Sequence, residues 1–248
     1  MPSEIKNPAC EQLDRFVVAE SIHTRFPETT IVVVVALGLT NSPASAASAM
    51  ALEQASAALS QVTTADSIKD HPKVSCWHEV YKRFNAKPRK YPSSVEALAK
   101  RALGDGSSVP SINSLVDFYN ALSLRHLVPV GGEDLDALSG ELELRPARGT
   151  ELFDVPDDPN ASEAVVPEGE VVWADNVGAT CRRWNWRQGK RTRLTEATTN
   201  AYFIIDSAVP STREAETALI VQELYRILRE EGNASHVAHR LLKVGAEA

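Results

Sequence analysis

The decapeptide CRRWNWRQGK, Cys181 to Lys190, sets two of the chain's four tryptophans on either side of an asparagine, with Arg182, Arg183, Arg187 and Lys190 beside them and Arg191 just beyond. Rings beside cations are the groups that hold a nucleic-acid strand, the rings stacking on bases and the cations meeting phosphates. The spacing also allows a purely structural alternative. Trp184 and Trp186, two apart, would share one face of a strand and pack a core or stack on their own arginines. A second basic run, with Lys82, Arg83, Lys87, Arg89 and Lys90, reads as a solvated face or, if it meets the first in space, as part of one positive surface.

Asn113, Asp117 and Asn120 are spaced i, i+4 and i+7 and so share one face of an expected helix, either a solvated face, the commoner case, or the wall of a polar pocket. The segment GGEDLD, Gly131 to Asp136, carries carboxylates without the spacing of a calcium loop, and its acids read better as caps on a helix starting near Leu135. No GxSxG, HExxH, GxxxxGK[ST] or GxGxxG occurs. The six histidines are scattered; His236 and His239 alone have a metal-like spacing, near the C-terminus, where surface positions are expected. Neither a triad hydrolase nor a metal hydrolase is indicated.

The elements that must position these residues follow from periodicity and breakers. Phe16–Glu20 and Ile31–Leu39 read as strands, the second central, with a short helix over Ser21–Phe26 between them that Pro27 ends. The Ala/Ser-rich stretch Ala44–Val62 favours helix over linker. Trp77, Val80, Tyr81 and Phe84 have helical spacing, and further helices are expected from Ser93–Ser94 to Leu103, closed by Gly104 and Gly106, and over SINSLVDFYNALSLRH, ended by a turn at Pro129, Gly131 and Gly132. ELELRP, ELFDVP, EVVWAD and AYFIID read as strands, DDPNASEAVVPEG as turns, and Arg213–Glu230 as an amphipathic helix before a frayed tail. Without βα alternation or repeats, the fold class is α+β: one domain with a mixed, largely antiparallel sheet flanked by helices, spanning residues 16–230 between tails at 1–15 and 231–248.

Composition sets the bounds. At 248 residues, 43% hydrophobic and 24% charged, the chain can build a core as one large or two small domains. A net charge of −7 opposes indiscriminate coating of DNA or an anionic membrane, so any anion site must be local. The polar N-terminus lacks a signal h-region, and Ile31–Leu39 is too short to span a bilayer. Three dispersed cysteines fit a reduced cytoplasm and form no zinc framework.

Read together, FNAKPRKYPSSVEAL, VPSINSLVDFYNALSLRHLVPVGGEDLD and VVWADNVGATCRRWNWRQGKRTRLTEAT with the strand after it resemble the B3/B4 domain of the phenylalanyl-tRNA synthetase β subunit in a freestanding form. The resemblance runs from about Phe16 to Leu228. In the synthetase this domain hydrolyses the ester between a wrong amino acid and the terminal adenosine of tRNA. The resemblance therefore implies a trans-acting deacylase of mischarged tRNA that needs no cofactor or metal. The alternatives it leaves are a non-catalytic tRNA- or RNA-binding module and an amino-acid-binding protein.

The carry-over onto this chain is uneven. Asn120 falls on the family's pocket asparagine, and Gly131 stands where the family has a histidine. Asp206 is the nearest carboxylate to a family glutamate, in a shifted register, and CRRWNWRQGK replaces a glycine-rich pocket wall. On this resemblance Asn120 and Asp206 would be catalytic, with Asp206 or Glu133 taking the substrate ammonium. Asn113, Gly131, Gly132, Arg182, Trp184, Asn185 and Trp186 would line the substrate site. Lys87, Arg89, Lys90, Arg183, Arg187, Lys190 and Arg191 would hold the acceptor end of tRNA. The resemblance favours the nucleic-acid reading of CRRWNWRQGK.

Overall fold

The apolar run becomes β2 (Thr30–Leu37), an interior strand buried on both faces. A strand covered on both sides needs no polar alternation, which is why Ile31 to Ala36 is uninterrupted. Ile31, Val33 and Val35 enter one core, whereas Val32, Val34 and Ala36 enter another on the opposite face. The computed structural model describes residues 7–104, 109–154, 165–209 and 213–242.

Two sheets are present where one was expected. The first is antiparallel throughout, in the order β3 (Val130–Asp134), β8 (Asn200–Ser207), β2 and β9 (His236–Leu242). The second is mixed. β1 (Phe16–Val18) runs parallel to β4 (Leu142–Pro146), followed by antiparallel β5 (Val171–Ala174), β6 (Ala179–Arg182) and β7 (Arg187–Gln188). The fold is α+β, with seven α-helices among the described residues.

Helices α1 (Pro8–Leu13), α2 (Glu20–Arg25), α4 (Pro72–Arg83) and α5 (Ser94–Ala102) contribute to the core between the sheets. On the outer face of the first sheet lie α6 (Ser114–His126) and α7 (Arg213–Arg226), the latter continuing into a π turn over Ile227–Glu231. The Ala/Ser-rich segment is α3 (Ala46–Ser60), opened by a reciprocal capping box between Ser45 and Ser48. It packs on α6, where the Ser48 hydroxyl donates to Asp117 Oδ2 at 3.1 Å. Asp117 also accepts from Ile112 N–H (2.9 Å) and the Ser111 hydroxyl, so this position of the expected solvated face is fully buried.

Several expectations are corrected. The turn expected at Gly131–Gly132 is strand β3, because both glycines pair with β8 and a Cβ on Gly132 would stand 2.6 Å from the Phe203 ring. No helix starts near Leu135. Asp134 instead closes a turn, accepting from Asp136 N–H (2.9 Å) and the Thr198 hydroxyl (2.7 Å). The C-terminal stretch expected to fray forms edge strand β9, its Val237 and Ala238 buried against β2. On that strand His236 and His239, three apart, face opposite sides, and His239 Nδ1 meets the Tyr225 hydroxyl at 2.9 Å. The expected N-terminal tail contains α1, whose Ala9 and Leu13 are buried. In the described part of ELFDVP, Leu152 pairs with Val165, while its last two residues, residues 157–164 of the expected turn region and Gly106 lie outside the described residues.

Candidate functional site

CRRWNWRQGK is a hairpin, but its tryptophans do not share a strand face. Residues 183–186 form the turn between β6 and β7, with Arg183 and Trp184 in the left-handed region at φ 47° and 65°. Left-handed backbone costs a non-glycine residue about 1–2 kcal/mol. The offset is visible: Trp184 is 0% exposed and meets Phe26 and Trp77 edge-on at centroid distances of 5.2 and 5.7 Å. Burying a ring of about 200 Å² contributes roughly 5 kcal/mol, so the packing outweighs the strain. Trp184 is core and is closed to any base stacked from outside. Trp186 stays half-buried, its ring 4.9 Å from that of Tyr91.

Arg182 and Arg183 are also drawn inward. Arg182 grips Glu170 bidentately at 2.8 and 2.9 Å, and Arg183 reaches the same carboxylate at 3.2 Å, all three groups being buried. The Arg183 guanidinium lies 3.5 Å from the Tyr91 centroid and 4.4 Å from that of Trp186. These two arginines hold the hairpin to its own domain; the phosphate-facing placement expected of Arg183 is corrected by its burial against Glu170. At the other end of the hairpin, Arg191 pairs with Asp175 at 2.8 Å. Backbone N–H groups of Lys190 and Arg191 donate to Asp154, and the Lys190 side chain is exposed.

Behind the turn the two sheets leave a cavity of about 150 Å³, lined among others by Asn120, Gly131, Glu133, Asn185, Asp206 and the three rings of Trp173, Trp184 and Trp186. That is the volume of an engineered protein cavity that admits benzene. Strand parity explains the lining. Gly131 and Glu133 alternate inward on β3, as Ile204 and Asp206 do on β8, while Gly132 faces away toward Phe203 and Leu194. A Cβ at Gly131 would come within 2.9 Å of Gln188 Nε2, so the glycine leaves space that a side chain would fill.

Asp206, 2% exposed, accepts from Trp184 Nε1 (3.3 Å) and Asn185 Nδ2 (3.2 Å). Asn185 is oriented in turn by the Tyr81 hydroxyl, which donates to its Oδ1 at 2.8 Å. Burial pushes the Asp206 carboxyl up to about 7, against the opposing pull of those two donors. Glu133, also 2% exposed, is pushed up to about 7 by burial while accepting from the Thr192 hydroxyl. Burial likewise raises the Cys181 thiol, so this pocket-lining sulfur is held as a neutral thiol and suits a wall better than a nucleophile.

The structure thus brings Asn120, Gly131, Glu133, Trp184, Asn185, Trp186, Arg187 and Asp206 to one cavity. Asn113 lies elsewhere: its Oδ1 caps α6 at Val116 N–H (3.0 Å) and its Nδ2 donates to Leu194 O (3.3 Å). Gly132 is outside as well. Lys87, Arg89 and Lys90 are exposed on the loop that leads into Tyr91, and Ser94 N–H donates to Asn185 O at 2.9 Å. The Tyr91–Trp186 contact therefore joins the two basic segments, with exposed Arg187 on the pocket wall beside them. Sequence reasoning missed Ser94, Tyr119, Trp173, Cys181, Gln188 and Ile204 as lining residues. Of these, Cys181 and Gln188 lay inside the segment expected to form a pocket wall, and Ile204 shares strand parity with Asp206; the others carried no signal.

Among the described residues no cluster of three or more His, Cys, Asp or Glu could hold a metal ion, and no helix is long and apolar enough to cross a membrane. Fold and cavity define an α+β domain with a candidate site where two sheets meet. Residues 76–234 match the B3/4 domain family, and the chain belongs to that family. Among solved structures, an N-terminal fragment of the phenylalanyl-tRNA synthetase beta-subunit from Pyrococcus horikoshii is similar over 92% of this chain, at 10% identity and a TM-score of 0.44. The chain spans 54% of that fragment. No curated protein matches.

Proposed function

We propose that this protein binds the aminoacylated acceptor end of a tRNA and hydrolyses the ester, releasing free amino acid and uncharged tRNA. One observation carries the reading: a cavity holding Asn120, Glu133 and Asp206 lies directly beside the join of two basic segments. The cavity, about 150 Å³, has room for a group the size of an aminoacyl side chain, and the surface cations Lys87, Arg89, Lys90 and Arg187 suit the phosphates that follow it.

The chemistry needs a positioned water, a base and a donor for the oxyanion. A carboxylate poised near pH 7 suits the base. Asp206 or Glu133 takes a proton as water oxygen bonds to the ester carbon. The carbon–ribose oxygen bond then breaks, and the proton passes to the leaving ribose oxygen. The Asn120 carboxamide orients the carbonyl.

The test is a panel of radiolabelled aminoacyl-tRNAs, correct and mischarged, incubated with the protein and with its Asn120→Ala variant. Selective loss of one ester, slowed at least ~100-fold in the variant while tRNA binding persists, is the expected result. Undiminished RNA binding without acceleration of any ester would refute hydrolysis and leave a binding module.

A further inference from the structure

Glu133 and Asp206 lie on adjacent antiparallel strands and both line the cavity, yet at different levels. Glu133 is the register partner of Tyr202, four residues before Asp206. At the usual rise per residue the two carboxyl-bearing positions lie about 13 Å apart along the strand. Between them the floor is apolar, formed by the register partners Gly131 and Ile204. The hydrogen-bond donors to each carboxyl are neutral: Trp184 and Asn185 for Asp206, and Thr192, Tyr202 and Gln188 for Glu133. Among the described residues neither is within ion-pair distance of a cation, although the Arg191 charge, itself paired with Asp175, acts on Glu133 from further off. A buried carboxylate is costly unless a cation meets it, and here two are held at opposite ends of one small cavity.

We infer that the pocket selects an amino acid carrying two ammonium groups at the ends of an unbranched aliphatic chain, a lysine-like aminoacyl group. The inference rests on the cavity being the aminoacyl site, where the carboxyl beside the α-ammonium meets it with one oxygen and takes the water proton with the other. Side chains stand roughly perpendicular to a sheet, so the separation of the strand positions carries over to the carboxyls. A charge-assisted contact of about 2.8 Å at each end leaves about 7–8 Å between the ligand nitrogens. Six extended bonds of about 1.5 Å, the path from α- to ε-nitrogen in lysine, span that gap. The methylenes would lie over Gly131 and Ile204, walled by tryptophan rings that also favour a cation. An acidic aminoacyl group would meet two like charges, and an aromatic one would leave a carboxyl buried and unmatched.

The test uses non-hydrolysable amides and no tRNA, so that it does not depend on catalysis. Calorimetric titration at pH 7 compares lysinamide with norleucinamide, which has the same chain without the terminal ammonium, and with tyrosinamide. Lysinamide is expected to bind about 10- to 100-fold more tightly than norleucinamide, the range of one charge-assisted hydrogen bond. Of the isosteric variants Glu133→Gln and Asp206→Asn, one should erase that ratio and the other should weaken both ligands alike. Urea unfolding confirms that each variant is folded. Equal affinities for lysinamide and norleucinamide, tighter binding of tyrosinamide, or no binding of any amide would overturn the inference, whatever the tRNA panel shows. Selection of lysinamide without cleavage of any tRNA ester would uphold it and refute hydrolysis alone.

Discussion

Replacing Asp206 by asparagine should change how stability depends on pH, with a size that follows from the site. The folded carboxyl titrates near 7 because it is buried, against an ordinary value of 3.8. A carboxyl raised on folding binds its proton more tightly in the native state. Its contribution is fully present below about pH 4 and is lost as pH rises through 7. Between pH 5 and pH 8 this single group should remove roughly 2–3 kcal/mol of stability. Carboxyls held below their usual range, Glu151 at about 2 and Asp175, change stability at lower pH and leave this window clear. Glu133 adds a parallel loss over the same window and is common to both proteins.

Asparagine keeps the shape and removes the charge. Its amide nitrogen would face a donor at Trp184 or Asn185, at a cost of about 1 kcal/mol. The variant should therefore be less stable than the parent at pH 5 and more stable at pH 8, the two curves crossing between. Urea unfolding followed by tryptophan fluorescence at pH 5, 6, 7 and 8, with unchanged m-values, measures the difference. A stability difference that stays constant across these pH values would show that Asp206 does not titrate in the window, and the reasoning on the buried pair would fail.

Two further outcomes are expected. Glu170→Gln leaves the buried guanidinium groups of Arg182 and Arg183 without their shared carboxylate and should cost about 3–5 kcal/mol in urea unfolding, whereas breaking the exposed Lys82–Glu79 pair by Glu79→Gln should leave the unfolding midpoint nearly unchanged. If the rim binds RNA, alanine at Lys87, Arg89, Lys90 and Arg187 together should flatten the log–log salt dependence of tRNA affinity by up to about four slope units, measured by filter binding; an unchanged slope would remove these residues from the interface.

Where the local pattern agrees with the global fold, sequence alone determined the element. The uninterrupted Ile31–Ala36 became a strand covered on both faces, and Trp77, Val80 and Tyr81 became the buried face of α4, because burial on those elements follows their own period. Asn120 and Asp206 were also legible as site candidates, through a family likeness that covers the segments around them. The rest depended on partners distant in the chain. VGGED has the composition of a turn and becomes a strand only because β8 supplies its hydrogen bonds and Phe203 fills the space beside Gly132. HVAHRLL alternates too weakly to declare itself, and β2 supplies its ladder. In CRRWNWRQGK the residue types pointed outward, to bases and phosphates. Glu170, Phe26 and Trp77 turned Arg182, Arg183 and Trp184 inward, since a buried carboxylate and an aromatic core outweigh the strain of a left-handed turn. Only the tertiary structure could decide that Tyr91 meets Trp186, and with it that two basic segments distant in the chain border the same cavity.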